Sequence, residues 1–149
     1  MIMLFKLKIT TLLCFIFFSA PILAQSIKLK DKVVFLDGKE IFKYKIENNS
    51  GIESITLMDL TTNEEVIFIK EDDGGTFGPK YRADDFTIYI FLKEKIRVEV
   101  SSFDFWKNDI KFLYKQNVFD STGKLNQDKI LLFKEKFDEN ITEKRTKRQ

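Results

Sequence analysis

Histidine is absent from this chain of 149 residues, and cysteine occurs once, at Cys14. Without imidazole there is no Ser-His-Asp or Cys-His arrangement, no His-x-x-x-His metal site and no unperturbed side chain that titrates near neutrality. Gly-x-Ser-x-Gly, Walker-type and dinucleotide glycine motifs are missing as well. There is no apolar run of the about 20 residues that a bilayer span requires, no internal repeat and no low-complexity linker. Carboxylate chemistry, which needs neither histidine nor cysteine, is the one catalytic class these absences leave open. No cofactor is predicted.

What the N-terminus does contain is a tripartite export signal. Lys6 and Lys8 form a short basic region, an apolar run follows from Ile9 through Phe18, and Ser19-Ala20-Pro21 breaks it. Ile22-Leu23-Ala24 then ends in the small residue a signal peptidase accepts. The predicted cut lies between Ala24 and Gln25, because a proline after Ala20 disfavours the earlier position. A lipid-anchored cysteine is not expected, since Leu13 before Cys14 is not small. The chain is therefore read as a signal peptide over 1–24, one domain over 25–143 and a basic tail over 144–149, exported to the periplasm or the medium.

Removal of residues 1–24 takes away two of the 25 basic residues and none of the 23 acidic ones, so 23 of each remain and the net charge is zero. No overall attraction to nucleic acid follows from that balance. The exported part also loses its only cysteine, which excludes disulfides, thiol nucleophiles, iron–sulfur clusters and structural zinc. A domain of this size can fold on an apolar core alone, and the phenylalanines, tyrosines and Trp106 supply one.

From Ile27 to Val100 the pattern is that of β-strands. Val33–Leu36 and Ile41–Glu47 flank Asp37-Gly38, a pair that favours a tight hairpin turn because glycine accepts positive φ. Phe42, Tyr44 and Ile46 alternate with Lys43, Lys45 and Glu47, as in a half-buried strand. Further strands are predicted around Ile52–Asp59, Glu65–Lys70, Phe86–Leu92 and Ile96–Val100. Glu65–Lys70 is apolar on both faces, which suits a central position. About six strands with short links imply an antiparallel meander, either an open curved sheet or a small barrel.

After Ser101-Ser102 the period changes. Phe103, Trp106, Ile110 and Leu113 line one helical face, with Asn117 as a stop. Asn126 caps a second helix whose stripe is Ile130, Phe133, Phe137 and Ile141. The fold class is α+β, a meander followed by two short amphipathic helices packed on it. The style of signal and the β-then-helix order resemble the small exported proteins of Gram-negative bacteria, a likeness that carries no functional residue.

Candidate sites are few. Asp72-Asp73 and Asp84-Asp85 bracket the one long connection, Glu71 to Asp85, which also holds Gly74, Gly75, Gly78, Pro79, Phe77 and Tyr81. Paired carboxylates suit acid–base hydrolysis of glycosides or calcium, but the order Asp-Asp-Gly-Gly lacks a calcium loop's spacing. Long loops in compact domains are often functional, and glycines beside an aromatic can present it to a partner. Asp72, Asp73, Phe77 and Tyr81 are thus the predicted partner-binding residues. Trp106 is read as core. The tail Lys144-Arg145-Thr146-Lys147-Arg148-Gln149 could touch an anionic surface weakly. The expectation is an exported, non-enzymatic interaction module that binds a protein. The alternatives are a carrier of small hydrophobic ligands with the meander closed around a cavity, and a carboxylate-dependent hydrolase.

Overall fold

A computed structural model of the chain describes residues 26–49, 52–72, 85–101 and 106–147. The predicted export signal and its predicted Ala24–Gln25 cut, the turn residues Ser50 and Gly51, and Phe103 lie outside them. Two hairpins open the fold. Strands β1 (Ile27–Lys30) and β2 (Val33–Leu36) are joined by Asp31 and Lys32, both at positive φ. Strand β3 (Lys39–Asn49) follows the predicted turn, where Asp37 has φ 51° and Gly38 φ 84°. Positive φ at both central residues is the turn geometry whose twist matches paired strands. The Asp37 carboxylate accepts a hydrogen bond from the Ser26 N–H at 2.8 Å, tying the turn to the start of β1.

Strands β4 (Ile52–Met58), β5 (Glu65–Asp72), β6 (Phe86–Phe91) and β7 (Ile96–Val100) complete one antiparallel sheet in the order β1 to β7. The expectation of about six strands thus becomes seven among the described residues. The additional one is β1, which has no glycine turn to announce it. The predicted choice between open sheet and barrel is decided for the open form, since β1 and β7 are the two edges.

Alternation gives the sheet a helix-facing side. Val34, Phe42, Ile55, Leu57, Ile67, Ile69, Tyr89, Phe91 and Val98 are all buried on it. A bulge between Val34 and Phe35 lets Ile41 and Phe42 both be buried in succession, the usual effect of one extra residue in a ladder. Burial fades along β3, and Ile46 is 48% exposed.

Helix α1 (Trp106–Lys115) buries Trp106, Asp109, Ile110 and Leu113. Asn117, at φ 57°, stops the chain behind it, and the Val118 N–H reaches back to the Leu113 carbonyl at 3.1 Å. That is a left-handed cap satisfying a carbonyl the helix leaves open. The link to the next helix is pinned by Gly123, at φ 84°, whose added Cβ would collide with the Ile41 carbonyl oxygen. Asn126 accepts from the Lys129 N–H at 3.1 Å and starts α2 (Gln127–Phe137) as its type predicts.

Helix α1 lies against β1 and α2 against β7. Six inter-strand gaps of ~4.8 Å put these edges about 29 Å apart in a flat sheet, so the two helices lie toward opposite edges of the one sheet. Phe112, Phe133 and Phe137 form a triangle of rings with centroids 5.0–5.4 Å apart, and Phe133 reaches Tyr89 at 5.6 Å and Phe91 at 6.1 Å. Burying a side chain of that size stabilises by ~1.5–3 kcal/mol. Trp106 is a core residue, 9% exposed.

The C-terminal part departs from the predicted stripe. Helix α2 ends at Phe137, and Ile141 begins a separate helix, α3 (Ile141–Thr146). The cause is long-range. The Glu139 N–H donates to the Glu99 carbonyl at 2.8 Å, the Asp138 carboxylate accepts from the Glu99 N–H at 3.1 Å, and Glu139 takes both polar groups of Ser101. Strand β7 draws the chain off the helix axis. Lys144, Arg145 and Thr146 of the basic tail are helical, and Arg145 stacks 4.8 Å from the Phe86 ring. Among the described residues no helix is long and apolar enough to cross a membrane.

Candidate functional site

The two ends of the long connection are described, and its interior is not. Asp73, Phe77, Tyr81 and Asp84 lie outside the described residues. Asp72 is the last residue of β5, opposite Phe86, and pairs with Lys70 at 3.5 Å. Glu71 is opposite Thr87 and so faces the helices, as Ile69 and Tyr89 do. The register puts Asp72 on the face opposite to Glu71, and Asp85, just before β6, is buried.

The carboxylates the structure does bring together are Glu71, Asp85 and Asp109, with Glu53 next along the face. Asp109 is 2% exposed and accepts from the Tyr89 hydroxyl at 2.6 Å. Burial pushes the Glu71 carboxyl up to about 7, reinforced by the negative charges of Asp109, Glu53 and Asp85. A carboxyl poised near neutrality can hold or release a proton at working pH. Sequence reasoning passes over Asp109 and Glu71, although an aspartate inside the α1 stripe, one residue before Ile110, is a legible signal. Glu71 becomes visible only through the register of β5 and β6. Among the described residues no group of three or more ligating side chains could hold a metal ion.

A second feature lies on the outer side of the helical pair. A groove of about 600 Å³ runs between the end of α1 and the length of α2. Lys115, Gln116 and Asn117 form one wall, Lys129, Leu132 and Lys136 the other, and Phe133 and Phe137 lie between them, with Glu135 also lining it. The sequence builds this directly. Residues 129, 132 and 136 recur at three and four, one stripe of a helix, while Ile130, Phe133 and Phe137 take the neighbouring stripe into the core. Leu132 is consequently left 52% exposed. Lys136 stands 4.8 Å from the Phe137 ring, and Lys115, Lys129 and Lys136 join none of the ion pairs among the described residues.

No protein-family model, curated protein or solved structure matches the chain.

Proposed function

We propose that the protein is an exported, non-enzymatic interaction module that holds a protein partner in the groove between α1 and α2. The observation that carries this reading is the groove itself. An exposed leucine beside an aromatic floor, ringed by lysines that join no ion pair among the described residues, offers a partner an apolar centre with a charged rim. Interfaces concentrate their energy in such apolar centres with polar rims. The carrier alternative loses support because the sheet is open and its inner face is filled by Tyr89, Phe91, Phe133 and their neighbours. The test is capture from native cell envelope and culture medium with three baits. Wild type and Leu131→Ser, which changes an exposed leucine outside the groove, should retain the same partner, and Leu132→Asp should lose it. Retention by all three baits overturns the reading.

A carboxylate-dependent hydrolase is the second reading, favoured by one observation, the Glu71 carboxyl near 7 beside Asp85 and Asp109. Acid–base hydrolysis of a glycoside needs one carboxyl protonated and another ionised. Hydrolysis of a panel of glycosides by wild type but not by Glu71→Gln supports it. A wild type inert across the panel disposes of it.

A further inference from the structure

Resting on the reading of the groove as the partner site, we infer that its occupant is an acidic peptide segment of the partner, with one large apolar side chain flanked by carboxylates. Charge complementarity carries the inference. Lys115, Lys129 and Lys136 face a single acid, Glu135, around the groove, whereas the neighbouring Lys134 is already held by Asp138. The three ammonium groups are thus an unmatched local excess on a chain whose exported part is neutral overall.

The spacing fits a peptide. Lys129 and Lys136 are seven residues apart on α2, a rise of about 10 Å, and Leu132 lies between them. An extended segment rises ~3.3 Å per residue. Acidic residues one or two positions on either side of an apolar anchor therefore bracket that span within reach of the lysine side chains. The anchor covers Leu132 and packs on the half-buried Phe137. A groove of about 600 Å³ has room for one large side chain and its neighbours. An alkyl chain suits it less, because Leu132 at the wall is half exposed and a tail laid beside it would stay largely in water. A peptide backbone closes over it.

The test uses the full chain and fluorescence anisotropy of a labelled probe peptide with a central Phe between Glu-Leu repeats. Its comparison peptides carry Gln or Lys in place of every Glu. The acidic peptide should bind, the Gln peptide at least tenfold more weakly. The exposed double change Lys129→Glu with Lys136→Glu should cost the acidic peptide at least tenfold and let the Lys peptide bind instead. Affinity should fall as salt rises and screens the pairs. Equal binding of the Gln and acidic peptides, abolished by Leu132→Asp, overturns the acidic class and leaves the groove as partner site. Binding of laurate or of phosphatidylglycerol vesicles without binding of the acidic peptide overturns the inference in favour of an anionic lipid. No binding of any peptide, with native partner capture unaffected by Leu132→Asp, overturns both the inference and the reading beneath it.

Discussion

The molecule carries charge in two contrasting places. Between the sheet and α1, Glu71, Asp85 and Asp109 gather like charges where water is scarce. Along the outside of the helical pair, Lys115, Lys129 and Lys136 leave like charges in solvent around an apolar strip. In the first arrangement burial, reinforced by the neighbouring negative charges, makes Glu71 hold its proton up to about 7. The second has little internal cost, because exposed ammonium groups keep their hydration and repel one another weakly through water. Buried charge therefore shows in the pH dependence of stability. Exposed charge shows in what the surface binds. Phe133 joins the two places, reaching Tyr89 on one side and lining the groove on the other.

The largest expected effect comes from removing that shared element. Phe133→Ala should destabilise by ~3–5 kcal/mol in denaturant unfolding, and should damage the groove and the Tyr89–Asp109 contact together. If the loss is under about 1 kcal/mol, the two regions are not mechanically joined. Gly123→Ala should cost ~2–3 kcal/mol, since it combines a left-handed backbone with a collision at Ile41. It acts on the link between α1 and α2, so it should loosen the groove walls while leaving the carboxylates in place.

Glu99 offers a carboxylate of the opposite kind. Burial by itself would raise its carboxyl, but the Thr142 N–H and hydroxyl and the Arg97 guanidinium outweigh burial and hold it below the ordinary value. Its folded value lies under its unfolded one, so its stabilisation is present above the usual carboxylate range and is lost as pH falls through the folded value. Glu99→Ala should cost ~1–3 kcal/mol at pH 7, with α3 released from β7 in hydrogen exchange. The difference from wild type should shrink in acid.

Glu71 has the reverse sign. The folded state keeps its proton between about 4.5 and about 7 while the unfolded state has lost it. Stability therefore falls as pH rises through that window and stays reduced above it. Glu71→Gln should remove this slope and raise stability above pH 7 by ~1 kcal/mol once solvent screening is allowed for. Identical pH profiles for the two proteins would show that neither burial nor the neighbouring charges raise the Glu71 carboxyl. The smallest effect on stability belongs to Lys129→Glu with Lys136→Glu, within about 0.5 kcal/mol, as for exposed sites generally.

Local signals were legible wherever a single residue type decides a conformation. Asp37-Gly38 sets its hairpin, Asn117 adopts the left-handed stop and Asn126 caps α2, each as its chemistry predicts. Strand β1 is hidden because Asp31 and Lys32 make a two-residue turn without glycine. The end of α2 is hidden for another reason. The α2 stripe runs on to Ile141 in sequence, and only Glu99 and Ser101, about forty residues away, draw Asp138 and Glu139 out of the helix. The candidate sites follow the same rule. Asp72 was visible as an acid but not the face it takes, which the register of β5 on β6 decides. The groove lysines are a readable stripe on one helix, but a wall becomes a groove only when the end of α1 is laid beside it.

In the groove reading the partner is held by the helical pair and not by the carboxylate end of the sheet. Hydrogen–deuterium exchange of the complex with the captured native partner tests it most directly. Binding in the groove should add protection over residues 115–117 and 127–137 and leave residues 65–72 and 85–91 unchanged. Protection of the two strand segments with α2 unchanged would contradict it and move the partner site to the carboxylate end of the sheet.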